Sequence, residues 1–217
     1  MLKIKRFTFN PFQENTYIIY DEKGSAAIID PGCYEPEEKK ELYDFIIQEN
    51  LKPELLLNTH CHVDHVLGNE WVEQTYSIPF LIHENEIPVL NSAKVLARNY
   101  GFPAYRGIEP DGYVSPGKEI SVGQEELQVL FVPGHAPGHV VFYHPTSKIC
   151  IAGDTLFRGS IGRTDLPGGD HDLLLEKIKS ELFSLPEDTI VYPGHGPETS
   201  IEFEKIYNPF VGKNASY

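Results

Sequence analysis

The sequence is short of cysteine: Cys33, Cys61 and Cys150 are the only three in 217 residues. Three thiols cannot build a disulfide framework, and their odd number fits a reducing, cytoplasmic compartment. Basic residues are scarce too. Lys and Arg number 18 against 32 Asp and Glu, a formal charge of −14 with His neutral. So acidic a chain is not built as a general nucleic-acid binder or as a polybasic membrane binder. No apolar run approaches the roughly 18–20 residues of a membrane span. The N-terminus lacks the pattern of a secretory leader, because Lys3, Lys5 and Arg6 interrupt its apolar stretch and Asn10-Pro11 ends it. Linkers, low-complexity tracts and internal repeats are absent.

What the chain does have is 41% hydrophobic residues, 18 Gly, 17 Pro and nine His. The length suffices to bury a core without disulfides, and the Gly and Pro predict many short elements joined by tight turns. Strands are predicted over Leu2–Phe9, Thr16–Tyr20 and Ala26–Asp30, with Asp21 to Ser25 as a hairpin loop. A helix follows over 36–49, where Pro36 suits the first turn, Glu37 and Glu38 suit the positive end, and Leu42, Phe45 and Ile46 share a face. Next come a strand over Glu54–Asn58, helices over about 66–75 and 84–98 flanking a short strand Pro79–Ile82, and a loop over 99–118. In the second half Leu127, Val129 and Phe131 alternate as in a half-buried strand, and Val140–Tyr143, Lys148–Ala152 and Thr189–Tyr192 read as strands. Asp170 can cap a helix with Leu175, Ile178 and Leu182 on one face. Thr199-Ser200-Ile201-Glu202 is a capping-box pattern for a last helix, stopped by Asn208-Pro209. Two such halves predict the α/β class, as a four-layer α/β/β/α sandwich.

The chemistry concentrates in Thr59-His60-Cys61-His62-Val63-Asp64-His65, directly after the apolar Leu55-Leu56-Leu57. In an extended turn, side chains two apart point the same way, so His60 and His62 can share one ion. Asp64 and His65 lie further along and can address a second ion. One ion rarely takes four ligands from so short a segment and still keeps an open position. His135, Asp154 and His195 each follow an apolar strand and a glycine, the pattern of a rigid platform with a sharp bend. Five His and two carboxylates suit two metal ions with a bridging carboxylate.

These motifs resemble the metallo-β-lactamase-fold hydrolases, and within them the glyoxalase II (hydroxyacylglutathione hydrolase)-like branch. The resemblance runs from Asn15-Thr16 and Asp30-Pro31-Gly32 to Pro193-Gly194-His195-Gly196, which implies a single domain over 1–217. Gly153-Asp154-Thr155-Leu156-Phe157 followed by Gly162-Arg163-Thr164-Asp165 is its more specific mark. It implies that His60, His62 and His135 hold one divalent ion, that Asp64, His65 and His195 hold a second, and that Asp154 bridges them. Zinc stands foremost, and iron or manganese also suit nitrogen and oxygen donors. It also implies a thioester hydrolase in which the ions lower the pKa of a shared water, oriented by Asp64 and Asp154. The partner is then a small acyl-thiol substrate. Departures bear on that substrate. The commonest true β-lactamases carry Cys where Asp154 stands, which argues against antibiotic hydrolysis. Nuclease relatives carry a large insertion for which the chain has no room. Glyoxalase II proper continues into a C-terminal helical domain that helps hold glutathione, whereas this chain stops soon after Asn208-Pro209-Phe210. The family's glutathione-contacting Tyr is Pro197 here, its Lys is Arg163 and its second Tyr is Asp165. Fold and metals therefore transfer better than glutathione.

Arg163 and Arg158, in the loop after Asp154, are candidates to bind an anionic substrate, with salt bridges to Asp165 or Asp170 as the plainer alternative. Asp30, at a strand end, either supports a ligand His or is a turn residue. Cys61, Cys33 and Cys150 read as packed thiols, and His83, His139, His144 and His171 as ordinary hydrogen-bonded side chains. The main rival is a persulfide dioxygenase of the same fold with a single iron, whose group also shows His-Cys-His-x-Asp-His and Gly-Arg-Thr-Asp. A non-catalytic metal-binding protein is the third reading, against which a closed structural zinc needs fewer ligands than seven.

Overall fold

The computed structural model describes residues 1–215. It opens with an antiparallel meander of β1 (Lys3–Phe9), β2 (Glu14–Tyr20) and β3 (Ser25–Ile29). In the β2–β3 turn the Asp21 carboxylate accepts the N–H groups of Lys23 and Ser25 at 2.8 and 2.9 Å. Helix α1 (Pro36–Gln48) begins where Glu38 accepts the Tyr34 and Glu35 N–H groups, and it buries Leu42 and Ile46. Strand β4 (Lys52–Leu57) then runs parallel to β3. Helices α2 (Val63–Val66) and α3 (Asn69–Tyr76), strand β5 (Phe80–Ile82), helix α4 (Ile87–Asn99) and strand β6 (Gly112–Tyr113) complete a sheet in the order β1-β2-β3-β4-β5-β6.

Three expectations are corrected here. The helix expected over 66–75 is two helices, because the Gly68 N–H donates to the Pro31 carbonyl at 2.7 Å instead of continuing the helix, a close approach that only a residue without a side chain allows. The helix expected over 84–98 opens as a 3-10 turn over Glu84–Glu86 and becomes α-helical at Ile87. The loop over 99–118 contributes the edge strand β6, two residues too short to show a period.

The second sheet contains β7 (Glu119–Val122), β8 (Glu125–Phe131), β9 (Val140–His144) and β10 (Ile149–Gly153). A small hairpin of β11 (Leu156–Phe157) and β12 (Ser160–Ile161) follows. Helix α5 (His171–Lys177) runs into a π-helical turn over Ile178–Leu182, and β13 (Ile190–Pro193), β14 (Thr199–Ser200) and α6 (Ile201–Tyr207) finish the chain. The sheet order is β14-β13-β10-β9-β8-β7. Asp170 caps α5 as expected, accepting the Leu173 N–H at 3.0 Å. At α6 the cap sits one residue later than the pattern suggested: Ser200 accepts the Phe203 N–H, and Thr199 donates to Glu204 instead.

Period-two alternation explains the layers. Tyr17, Ile19, Ile29 and Leu57 face Val129, Phe142 and Ile151 between the two sheets. Ile18, Ile28, Leu56 and Phe80 face the other way, onto Leu42, Ile46, Val72 and Leu90 of the first helical layer. Val141, Cys150 and Val191 pack beneath Leu174, Ile178 and Ile201 of the second. The result is the expected four-layer α/β/β/α sandwich. Among the described residues no helix is long and apolar enough to cross a membrane.

Candidate metal centre

Strands β8, β10 and β13 share one direction, since β8 and β10 both run against β9 and β13 runs parallel to β10. Their C-terminal ends carry His135, Asp154 and His195 to the edge where β4 delivers His60 and the turn into α2. His62 is the N-cap of α2, and Asp64 and His65 lie within it.

All seven expected side chains converge. One ligand atom each from His60, His62 and His135 lie within 4.8 Å of one another, as do those of Asp64, His65 and His195. His62 Nδ1 faces His135 Nε2 at 2.9 Å. Asp154 lies between the triads, Oδ2 at 3.6 Å from His135 Nε2 and 3.5 Å from His195 Nε2, and Oδ1 at 3.5 Å from His65 Nε2. A third grouping, Asp30 with His60 and His65, also falls within 4.8 Å. Asp30 is a support there, because both its oxygens are already engaged. Oδ1 accepts Thr59 N–H and Asn58 Nδ2, and Oδ2 meets Thr59 Oγ1 at 2.6 Å and His65 Nδ1 at 3.1 Å. Its backbone, at φ 49°, is left-handed, a conformation that Asp tolerates better than most residues. Of the two expected readings of Asp30, its contact with His65 Nδ1 favours the supporting one.

The donor set fits cations. His60 Nε2, His65 Nε2 and Asp154 Oδ1 are buried without a hydrogen-bond partner. An orphan of that kind costs about 1–3 kcal/mol, and cations held by the two triads would satisfy all three. A side chain at Gly194 would run into Asp154 Oδ1 and His65, so the glycine keeps the cradle open.

Electrostatics divides the set. Burial, aided by neighbouring rings, lowers His60 well below the usual histidine range and His62 to about 4, and burial also lowers His135. Neutral imidazole is the form a metal takes. Burial acts the same way on His65, but Asp154 and Asp64 outweigh it and raise its pKa well above 6.5. At His195 burial is outweighed by the Asp64 hydrogen bond and Asp154, and the pKa rises. Burial would raise both carboxyls, yet His65 above all, helped by His195, holds Asp64 down, and His65, His135 and His195 hold Asp154 far down.

The Metallo-beta-lactamase superfamily model matches residues 9–195. The chain belongs to the metallo-beta-lactamase superfamily. The probable metallo-hydrolase YqgX of Bacillus subtilis (strain 168) is 37% identical over 215 residues, covering 97% of this chain and 98% of that one. Hydroxyacylglutathione hydrolase GloC of Haemophilus influenzae is 33% identical over 216 residues, covering 99% and 100%. Among solved structures, TTHA1623 in a di-iron-bound form superposes with TM-score 0.85 at 38% identity, covering 95% of this chain and 99% of that one. BLEG-1, a B3 metallo-beta-lactamase, gives 0.85 at 37% identity over 96% and 99%. ETHE1 from Myxococcus xanthus gives 0.79 at 26% identity over 96% and 84%.

In this metallo-beta-lactamase superfamily member the centre floors a cleft of about 760 Å³, walled by α4, Phe12, Phe157 and the loop through Leu166 and Pro167. Arg163 lines the cleft, but its guanidinium donates twice to Asp165 at 2.7 Å, while its carbonyl accepts from His135 Nδ1. Arg158 does not line the cleft. Its guanidinium lies 5.3 Å from the Phe203 ring of α6.

Sequence reasoning missed two buried acids. Glu86 accepts the Cys61 N–H at 2.8 Å and the Gly138 N–H at 2.6 Å, joining the His60–His62 turn to the loop after His135. Burial pushes its carboxyl up to about 7 against the pull of those N–H groups. Glu14 is wholly buried, 3.9 Å from His65 Nδ1, and burial raises its pKa well above the usual carboxylate range. Neither has a signal of its own: Glu86 meets backbone groups distant in sequence, and the hydroxyl that Thr16 donates to Glu14 at 2.9 Å is no mark of burial. His139 has the hydrogen-bonded role expected of it, but its partner is the Asp154 N–H at 3.0 Å, and its ring stacks on His60. His144 pairs with Glu125, and His83 stacks on Phe131. All three cysteines are buried free thiols.

Proposed function

We propose that the chain is a binuclear metal-dependent hydrolase of thioesters. The observation that carries this reading is Asp154, whose two oxygens reach His65, His135 and His195 and so address both triads. His60, His62 and His135 would hold one ion and Asp64, His65 and His195 the other, with zinc foremost. Iron remains a candidate, in line with the di-iron form of TTHA1623, and manganese fits the same donors. When bound, such a pair supplies an activated water and a Lewis acid for a carbonyl. The chain's own residues do the rest. Thr59, Asp30, Arg163 and Phe12 each engage Nδ1 of a ligand ring and leave its Nε2 facing the centre. Asp64 and Asp154, held ionised, orient the reacting water. The apolar walls keep bulk water away from the carbonyl. Among the described residues lysine is absent from the cleft lining. That suits a thiolate leaving group, which needs little protonation near its pKa of about 8.5.

GloC is named a hydroxyacylglutathione hydrolase, which favours a thioester. The motifs His60-Cys61-His62-Val63-Asp64-His65 and Gly162-Arg163-Thr164-Asp165 keep the single-iron persulfide dioxygenase as a second reading. Elemental analysis of purified protein beside parallel thioester and persulfide assays separates them. Thiol release without oxygen consumption, with close to two ions per chain, is the expected result. Persulfide-dependent oxygen uptake with one iron and no thioesterase activity would overturn it. A β-lactam belongs in the same panel because BLEG-1 is named a β-lactamase.

A further inference from the structure

Apart from the metal-directed side chains, Cys61, Ser92, Ser160 and Arg163, the cleft is lined by hydrocarbon. Val89 and Leu96 of α4 and Tyr100 at its C-cap form a stripe at helical spacing and face the cleft. The adjoining side of the same helix fills the core with Leu90 and Ala97, and Ala93 reaches both the core and the cleft. The apolar face of α4 is thus wide enough to cover the core and still present a stripe to the cleft. Leu96 is 40% exposed and Tyr100 53%. The stripe continues across the cleft mouth, where the Phe12 ring meets Tyr100 edge-on at 5.5 Å. Leu166 and Pro167 form the far wall.

The charges point the same way. Arg163 is the one cationic side chain among the described residues lining the cleft apart from the histidines, and Asp165 engages its guanidinium twice. Asp64 and Asp154 lie on the floor, and the chain as a whole carries −14. A carboxylate on the remote part of a substrate would find no free cation and would be repelled at a distance. An uncharged hydrocarbon would cover surface that is otherwise exposed to water.

We infer that the non-reacting part of the substrate is apolar and uncharged, an aliphatic or aromatic acyl group, and that Val89, Leu96 and Tyr100 set specificity for it. The inference rests on the proposed hydrolase only for the bond that is cleaved; the character of the wall stands apart from it.

The test uses metal-loaded protein and neutral N-acetylcysteamine thioesters of straight-chain acids from acetyl to octanoyl, beside the corresponding S-acyl glutathiones. Equilibrium binding of the uncleavable S-alkyl thioethers is measured by calorimetry. We expect both kcat/KM and affinity to rise by roughly fourfold per methylene, the factor that corresponds to about 0.8 kcal/mol for each buried CH₂. The double substitution Leu96→Ser with Tyr100→Ser should flatten both series. Loss of structure alone would lower every chain length equally and leave the slope unchanged. Both positions face solvent, and Val89→Ala is a second variant should the double one fold poorly. A flat wild-type series, an unchanged slope in the variants, or preference for the glutathione compounds at equal chain length overturns the inference. Graded thioether binding without turnover of any thioester would sink the hydrolase reading and support the apolar wall. Turnover with a flat series would do the reverse.

Discussion

Four of the five site histidines are held by Nδ1, through Thr59 Oγ1, the Asp30 carboxylate, the Arg163 carbonyl and the Phe12 carbonyl. Only the carboxylate is both charged and part of a wider net, since Asp30 also fastens Asn58 and Thr59 beneath the ligand turn. Asp30→Asn keeps the shape and tolerates the left-handed backbone but removes the charge that orients His65. We expect a roughly 10–100-fold loss of metal affinity, read by competition with a chelating dye, with an unchanged far-ultraviolet spectrum. Full affinity in that variant would show that Asp30 is only a turn residue. Arg163 leads to the opposite expectation. Its exposed pair with Asp165 belongs to a class worth about 0.2–1 kcal/mol. Arg163→Ala should therefore change kcat/KM by less than about fivefold, alike for charged and neutral thioesters. A large loss confined to anionic thioesters would restore Arg163 as an anion clamp. The seven metal-directed residues were legible because four of them crowd into six positions and the others follow strand-glycine turns. Carbonyl supports such as Phe12 were not, because every residue offers a carbonyl and only the fold decides which one meets a ring.

Between elements, the critical joint is Glu86 at the start of α4. Its carboxylate is the shared acceptor for N–H groups from two separate ligand-bearing loops, Cys61 after β4 and Gly138 after β8. Glu86→Ala leaves two buried donors unmatched, at about 1–3 kcal/mol each unless water enters. Urea unfolding of the metal-free protein should show a loss in that range, and Glu86→Gln, which keeps one acceptor, a smaller one. Metal affinity should fall in parallel, because His60 and His62 flank the freed amide. Equal stability of all three proteins would remove Glu86 from this role. Elements with a long, clear period were legible, such as the meander β1–β3 and helix α1. The ones missed are short or broken by tertiary contact. The two-residue β6, β11 and β12 have no period to detect. The division of α2 from α3 follows from the Gly68 N–H donating to the Pro31 carbonyl, a contact that local sequence cannot announce. At α6 two hydroxyl residues competed for the cap, and the buried Glu204 decided the outcome by engaging Thr199.

For the molecule as a whole, the two triads draw ligands from both sheets, while the three apolar layers contain no ligand. The metal-free protein should therefore stay folded, and ions should add stability by mass action. An ion at a hundred times its Kd contributes about 2.7 kcal/mol. In a chain of this size each kcal/mol moves Tm by about 2–4 °C, so saturation with zinc should raise Tm by roughly 5–11 °C. The size of that gain should depend on pH, with a sign fixed by the site. From pH 6.5 to 8, His60, His62 and His135 lie below the ordinary histidine value and are already largely neutral. Asp64 and Asp154 are held down and already ionised. None of these five exchanges many protons in that window. His65 and His195 are held above the ordinary value by the same carboxylates and keep protons that an ion must displace. Each displaced proton weakens binding by up to about tenfold for every pH unit below the group's folded pKa. At fixed zinc concentration the Tm gain should thus be larger at pH 8 than at pH 6.5, and binding at pH 6.5 should release protons into a weakly buffered solution. A gain that is equal at the two values, or larger at pH 6.5, with no proton release, would mean that His65 and His195 are already neutral in the metal-free protein.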